Sequence, residues 1–168
     1  DKFYTATEFE MDQFLSRPGI KLELSRACVR KDFRSGAIIH LLWKGLAEYF
    51  QATSADYLFG CSSIQTMDPV LTANIAKYFA QQNALTDEYN ARPLKNFSCL
   101  LPTIDGEPKD PQGGDIRAHI PALLKSYIKA GAKVGAMPAL DRKFRWMDFL
   151  TVLKLDELSP NYKRKYVQ

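Results

Sequence analysis

A basic turn that leads into an apolar helix is the segment of this sequence best suited to bind a ligand. The first N–H groups of an α-helix have no partner within the helix, so those of Ser35 to Ala37 should be free to hold an anion. Cationic side chains beside such groups strengthen the attraction. The cations of the turn are Arg30, Lys31 and Arg34. The turn therefore predicts a phosphate or pyrophosphate site; the alternative is an ordinary solvated turn.

The composition of the turn excludes the common nucleotide-binding loops. Gly36 is its one glycine, which rules out a dinucleotide-binding fingerprint, and no Gly-Lys-Ser/Thr sequence closes it as in a Walker A loop. At the start of the helix, Gly36 would let a phosphate approach the backbone without a Cβ in the way.

The residues before the turn are predicted to form a β-strand over 22–29. Leu22, Leu24 and Cys28 alternate with more polar residues, and a period of two is typical of a strand with one buried face. Glu23 is thereby placed on the polar face. The strand, the turn and the helix form the unit around which the rest of the chain is organised.

Two further elements should position this unit. Residues 37–50 predict a buried crossover helix, and Tyr57–Ile64 predicts a strand that such a crossover places parallel to the first. His40 on this helix is expected to be a packing or capping residue rather than a catalytic base, because no nucleophile stands at a recognisable spacing from it. The inward stripe of the helix is predicted to contain Ile38, Leu42, Leu46 and Tyr49, with Ile39, Trp43 and Phe50 beside it.

The remaining segments predict a mixed α/β architecture. Residues 3–9 should form the last part of a strand, and a short helix that ends at Phe14 should follow. Asp68 and Pro69 predict the start of a helix that ends near Gln82, with Val70 on its apolar face. A long irregular passage follows over 83–114, then a helix over 121–131 and strands over 132–137 and 146–155. We expect a mixed central sheet flanked by helices.

Composition bounds the class of protein. The 168 residues are 46% hydrophobic, which is enough for one domain with a core. A net charge of +4, spread along the chain, gives no reason to expect nucleic acid. Three cysteines without a Cys-x-x-Cys pair indicate neither a disulfide framework nor a metal site, and favour a reducing cytosol. No apolar run reaches the roughly 20 residues of a membrane span.

Together these segments resemble a known family. The run Glu-Leu-Ser-Arg-Ala-Cys-Val that starts at Glu23, the basic turn, and the following Ile-Ile-His-Leu-Leu-Trp-Lys-Gly-Leu are similar to the acyl-thioester site of GNAT-superfamily N-acyltransferases. The similar members make ornithine lipids and other N-acyl amino acids, and some are labelled haemolysin-like. The pattern Glu-x-Ser-Arg-x-x-Val also resembles acyl-homoserine-lactone synthases, which share the fold. Further similarity lies in residues 57–63, 92–93 and 131–149.

The resemblance implies a role for each residue of the site. Glu23 would orient or deprotonate the acceptor amine, and Arg26 would bind the acceptor's carboxylate or brace Glu23. Regular alternation separates these two side chains, but a β-bulge would bring both to one cleft; a simple ion pair is the alternative. A backbone N–H near Val29 would stabilise the oxyanion. Cys61 as a covalent nucleophile is a competing mechanism that lacks a recognisable partner, and Tyr78 could protonate the leaving thiolate or simply belong to the core.

In such proteins the two parallel strands splay apart, and the pantetheine arm of the donor enters the gap. Ser62 on the second strand would face it. The resemblance assigns donor binding to Val29, Arg30, Lys31, Arg34, Ser35, Gly36, Ala37 and Ser62.

The expected protein is a GNAT-like N-acyltransferase of lipid biosynthesis, a single domain over residues 1–168 without the usual N-terminal strands and helices. It would move an acyl or 3-hydroxyacyl group from acyl carrier protein or coenzyme A to the amino group of an amino acid such as ornithine. No permanently bound cofactor and no metal are expected. The location would be cytoplasmic, with peripheral contact at the inner face of the membrane. The alternatives are an acyl-homoserine-lactone-type synthase and a non-catalytic, membrane-active, haemolysin-like protein. The basic tail over 162–166 is either a solvated end or a contact for anionic lipid or an acidic carrier.

Overall fold

Strands and helices alternate along the chain. The computed structural model describes residues 3–25, 29–34 and 36–167. The helices in this part of the chain are α1 (Asp12–Leu15), α2 (Gly36–Thr53), α3 (Pro69–Gln81), α4 (Ala122–Ala130) and α5 (Pro160–Tyr162), and a π-helical turn (Lys163–Val167) continues α5. The strands are β1 (Phe9–Glu10), β2 (Lys21–Glu23), β3 (Tyr57–Ile64), β4 (Leu85–Thr86), β5 (Arg92–Pro93), β6 (Lys133–Gly135), β7 (Ala139–Asp141) and β8 (Trp146–Lys154).

A mixed sheet with the strand order β2-β3-β8-β6-β4 forms the centre of the fold, and β7 adds to β8. Strand β3 pairs in parallel with β2 and antiparallel with β8 along its whole length. The predicted parallel pair and the mixed α/β sheet are confirmed. Strands β1 and β5 form a separate antiparallel pair.

The two faces of the sheet bury different elements. On one face, which we call the helical face, α2, α3 and α4 cover apolar residues such as Leu58, Ile64 and Phe149. On the other, the N-terminal face, Phe9, Met11 and Phe14 pack against side chains of β3 and β8. Aromatic edges dominate this second contact, since Phe14 meets Tyr57 and Phe59 at centroid distances of 5.6 and 5.2 Å.

Trp43 joins α2 to the rest of the helical face. Its indole N–H donates to Ser126 Oγ at 2.7 Å, and that hydroxyl lies 3.1 Å from Tyr162 Oη. The rings of Tyr127, Tyr162 and Tyr166 surround the indole. The aromatic residues of the basic tail are therefore part of the packing, whereas Arg164 and Lys165 remain exposed. His40 bonds Tyr166 Oη at 3.0 Å, which fits the packing role predicted for it.

The position predicted for helix α2 is confirmed, but its buried face is centred on Trp43 and Phe50, which were predicted only to flank the inward stripe. The buried side chains are Trp43, Ala47 and Phe50, whereas Leu42 and Tyr49 of the predicted inward stripe are 39% and 53% exposed. The helix is apolar on nearly every side, so periodicity could not decide which face the aromatic cluster would cover. The same limit applies to Val70 on α3, which was predicted to face inward and is 42% exposed.

Several predicted boundaries also need correction. Residues 3–9 contain a 3₁₀ turn at Thr5–Thr7, and the strand there is only Phe9–Glu10. The predicted strand over 22–29 is paired only over Lys21–Glu23; residues 26–28 lie outside the described part. The strand predicted over 132–137 is limited to Lys133–Gly135, while β8, α3 and α4 agree closely with expectation. The short strands β4, β5 and β7 were not predicted.

Backbone contact explains why β2 ends where it does. Leu24 N donates the last hydrogen bond to Phe59 O at 2.7 Å. The Leu24 carbonyl then crosses directly over Gly60, so close that a Cβ at position 60 would overlap the Leu24 oxygen. Only glycine permits this approach. The crossing directs the chain that follows β2 away from β3.

A pair of glycine-to-alanine substitutions tests this constraint. We expect Gly60→Ala to lower the free energy of unfolding by at least about 2 kcal/mol, because a backbone atom must move to relieve the overlap. Gly45→Ala is the control, since a Cβ there meets open space on α2; it should raise stability by roughly 0.5–1 kcal/mol. Chemical denaturation of both variants measures the difference, and equal effects would contradict the proposed close contact.

Candidate active site

A cleft opens along the edge of β3 where β2 departs. Beyond Phe59, no strand in the described part of the chain pairs with this edge, so the backbone groups from Gly60 to Ile64 face an opening on that side. Three neighbouring cavities, all lined by Leu24 and Tyr127, adjoin the opening on the helical face. We call them together the edge cleft; the largest is about 600 Å³.

The lining of the edge cleft combines apolar walls with a few polar groups. Ser62 lies on its floor, and Arg34 of the basic turn lies at its side. Ser62 thus lines the cleft, and its predicted contribution to donor binding stays a prediction. A free strand edge can hydrogen-bond an extended amide-containing arm in the same way as it would bond another strand.

Tyr127 of α4 lines all three cavities, as Leu24 does, and it is the polar side chain that they share. Its hydroxyl has no hydrogen-bond partner among the described residues. Burial raises the pKa of Tyr127 to about 12, so the hydroxyl keeps its proton at neutral pH. The predicted alternative, Tyr78, packs with the core around Phe79 and lines a different cavity.

The basic turn folds as a compact 3₁₀ turn at the start of α2. Arg34 Nε donates to Val29 O at 3.0 Å and closes the loop, while the Arg30 guanidinium lies 4.6 Å from the centre of the Phe33 ring. Both cations and Lys31 are exposed. A Cβ on Gly36 would meet nothing within 4 Å, and Gly36 does not have a positive φ. The fold itself therefore does not demand glycine here.

Glu23 lies on the opposite, N-terminal face of the sheet, level with Phe59. Its two carboxylate oxygens accept hydrogen bonds from the backbone N–H groups of Tyr4 and Thr5, at 2.8 and 2.6 Å. These two bonds fix the direction in which the carboxylate points. Arg26 and Ser35, the other predicted site residues on this segment, lie outside the described residues, so their roles remain predictions.

A buried acidic cluster occupies the same face as Glu23. It consists of Glu8, Asp141 and Asp148, whose carboxylate oxygens lie within 4.8 Å of one another. Ser63 Oγ donates to Asp148, and two backbone N–H groups of the β7–β8 turn donate to Asp141. No lysine, arginine or histidine in the described part forms an ion pair with the cluster. Carboxylates so arranged suit a hard cation or an ammonium group.

The environment of the cluster perturbs its titration. Burial, together with the charges of Asp148 and Asp141, raises the pKa of Glu8 to about 7, while a hydrogen bond with Tyr4 acts in the opposite direction. Burial also raises the pKa of Asp148. Next to Glu8, burial and the neighbouring carboxylate raise the pKa of the Cys61 thiol far above its usual range. Because the thiolate is the reactive form, this environment argues against Cys61 as a nucleophile.

A histidine that sequence analysis did not consider also lines the edge cleft. His119 lies at the end of a 3₁₀ turn, with Nε2 2.9 Å from Asp110 Oδ2. The hydrogen bond with His119 is the main reason why the pKa of Asp110 lies below its ordinary value. Asp110 and His119 are nine residues apart within a long loop, and no sequence pattern identifies such a pair.

The first residues of the chain are similar to a known domain family. Residues 1–44 match the family model of the acetyltransferase (GNAT) domain. That match covers the N-terminal face, β2 and the start of α2. It confirms the predicted GNAT-like architecture.

Curated relatives match nearly the whole chain. An L-ornithine Nα-acyltransferase of Rhizobium meliloti (strain 1021) is 34% identical over 98% of this chain and 55% of its own length. Proteins with the same name from Brucella abortus (strain 2308) and Rhodobacter capsulatus are 30% and 26% identical, over 58% and 63% of their lengths. The predicted resemblance to this family is confirmed, and the chain spans little more than half the length of these relatives. No solved structure gives a significant match.

The raised pKa of Glu8 predicts a pH-dependent stability difference. A carboxyl group that titrates near pH 7 when folded and near 4.5 when unfolded favours folding below pH 4.5, and this contribution is lost as pH rises through 7. Glu8→Gln should therefore gain stability over the parent between pH 5 and 8, by at most about 3 kcal/mol. The control is Glu10→Gln, on the exposed side of β1. A parent-to-variant difference that does not change with pH would contradict the assignment.

Proposed function

We propose that the protein is an N-acyltransferase that moves an acyl group from the thioester of acyl carrier protein or coenzyme A to the amino group of an amino acid such as ornithine, in lipid biosynthesis. The observation that carries this proposal is the parting of β2 and β3. It creates an opening between a basic and apolar cleft on one face of the sheet and carboxylates on the other. Similarity to the named ornithine acyltransferases supports the same activity.

The donor would bind on the helical face. Its phosphopantetheine arm would lie along the free edge of β3 beside Ser62, with the phosphate near Arg30, Lys31 and Arg34. The N–H groups at the start of α2, from Ser35 to Ala37, would complete the anion site together with the backbone at Val29. The acyl chain would lie against the apolar walls of the edge cleft.

The acceptor would enter from the N-terminal face. Glu23 would take the proton of its ammonium group, directly or through water, and Arg26 would hold its carboxylate. The negative potential of the acidic cluster on this face suits a cationic acceptor. The two substrates thus approach the opening from opposite sides, and each meets charge of the opposite sign.

The chemical step would then follow from this arrangement. The neutral amine attacks the thioester carbonyl, a C–N bond forms, and the developing oxyanion is stabilised by a strand N–H near Val29. Collapse of the intermediate breaks the C–S bond and releases a thiolate. The nitrogen of the intermediate would give up its remaining excess proton through water, and that proton would neutralise the thiolate. Tyr127, which lines the edge cleft, would hydrogen-bond the sulfur as it leaves.

Acyl carrier protein would be the principal partner. The enzyme would lie in the cytoplasm, in peripheral contact with the inner face of the membrane. In the described part of the chain, no helix has the length and apolarity needed to cross a bilayer.

The direct test is an assay of the full-length protein with acyl carrier protein or coenzyme A thioesters and L-ornithine, with mass spectrometry of the N-acyl product. Glu23→Gln should reduce turnover by about two orders of magnitude or more. It should also cost about 1–3 kcal/mol of stability, since one of two backbone hydrogen bonds is lost, so rates are compared well below the melting temperature. Parental turnover by the folded variant would remove Glu23 as the base. Formation of a lactone or of no product would favour the synthase or the non-catalytic alternative.

The anion site can be tested separately by donor titration. Arg34→Ala should weaken donor binding about tenfold or more, through loss of a charge-assisted contact. Gly36→Val should do the same by occupying the space the phosphate needs, and the open surroundings of Gly36 mean that the fold should tolerate it. Lys44→Ala, an exposed cation further along α2, is the control. Donor affinity equal to the parent in both test variants, or an equal loss for the acceptor, would contradict a phosphate site.

A further inference from the structure

An apolar strip with no partner in the described part of the chain runs along the outer side of α2. Leu41 is 58% exposed, Tyr49 53% and Leu42 39%, and Phe33 in the adjoining turn is 51% exposed. At 100° per residue, positions 38, 41, 42, 45, 49 and 52 share one side of the helix, and all six residues there are uncharged and largely apolar. A solvent-facing helix side normally carries charged residues instead.

The tip of the β7–β8 hairpin also exposes apolar side chains to solvent. Phe144 is 52% and Trp146 37% exposed, and their rings lie 6.0 Å apart. Lys143 and Arg145 flank them and are exposed as well. Arg142 is different, because its guanidinium bonds the carbonyls of Asn96 and Ser98 and anchors the hairpin to the neighbouring loop.

Both surfaces border the edge cleft. Trp146 and Arg34 line the same 600 Å³ cavity, and Leu42 lines the cavity beside it. Exposed aromatic rings next to Lys and Arg are therefore found on two sides of one opening, at the ends of elements distant in sequence. We call the strip and the hairpin tip together the cleft rim.

We infer that the cleft rim docks on an anionic phospholipid bilayer, so that the edge cleft opens at the membrane surface. Aromatic and leucine side chains would enter the interfacial region, while Lys143 and Arg145 meet lipid phosphates. An acidic protein partner explains the cations, but two separate apolar patches on either side of a cleft fit a continuous lipid surface better. The link to acyl transfer rests on the proposed function; docking itself does not.

Co-sedimentation of the full-length protein with vesicles tests the inference. We expect binding to vesicles of 70% phosphatidylcholine and 30% phosphatidylglycerol at low salt, with much weaker binding at 0.5 M NaCl and to pure phosphatidylcholine. The double change Lys143→Gln with Arg145→Gln should lower the partition coefficient about 30-fold, at roughly 1 kcal/mol per cation. Phe144→Ser with Leu41→Ser should lower it on the order of tenfold or more.

The control is Leu100→Ser, which removes a side chain that is 93% exposed and lines none of the cavities of the edge cleft; it should bind vesicles like the parent. Thermal melts establish that each variant is folded. Absence of binding to anionic vesicles, or equal loss in the control, would overturn the inference. If the rim variants instead weaken binding of acidic carrier protein without vesicles and leave vesicle binding unchanged, the rim is a protein-docking surface and the inference fails. Vesicle binding without acyl transfer would contradict only the proposed function.

Discussion

The crossing of the Leu24 carbonyl over Gly60 is the contact on which the rest of the site depends. Strand β3 cannot move away from it, because its other edge is hydrogen-bonded to β8 from Tyr57 to Ile64. The crossing leaves no room for a side chain at position 60, and β2 leaves the sheet after Glu23. Among the described residues, β3 is thus left with an open edge from Gly60 to Ile64, and that stretch is held in place by its pairing with β8 on the other side.

In the proposed mechanism, this geometry would separate the two substrates by charge. Cations and the helix start that suit a phosphate lie on the helical face, and the carboxylates of Glu23 and the acidic cluster lie on the N-terminal face. An isolated buried cluster of carboxylates is costly for the fold, and the raised pKa of Glu8 reflects this cost. Buried carboxylates that destabilise the fold in this way are more typical of binding sites than of structural cores.

Much of the fold was predictable where local signals were strong. The Asp68 cap, whose carboxylate accepts from Val70 N, fixed the start of α3, and Gly131 in the left-handed region fixed the end of α4. The orientation of α2 was not predictable, because Trp43 and Leu42 are equally apolar and only the ring cluster of the tail distinguishes them. The premature end of β2 depends on one contact between residues 36 positions apart.

The candidate site, like the fold, contains residues that could be proposed from the sequence and residues that could not. The basic turn could be proposed because its residues are adjacent in sequence, and Glu23 because it stands on the polar face of the alternating strand and matches the family's glutamate. Glu8 could not be recognised, since its partners Asp141 and Asp148 reach it only through the pairing of β7 with β8 and of β8 with β3. His119 and Tyr127 likewise acquire their positions from the packing of α4 against the sheet.

The central place of β3 has a consequence for synthesis of the protein. One neighbour of β3, β2, precedes it on the chain, but the other, β8, begins 82 residues after β3 ends, as the bounds Tyr57–Ile64 and Trp146–Lys154 show (146 − 64 = 82). Until β8 emerges from the ribosome, β3 exposes apolar side chains and an unpaired backbone edge to which other chains can bind. Pairing of such distant segments is also slow to form. Nascent chains should therefore depend on chaperone protection until β8 has been translated.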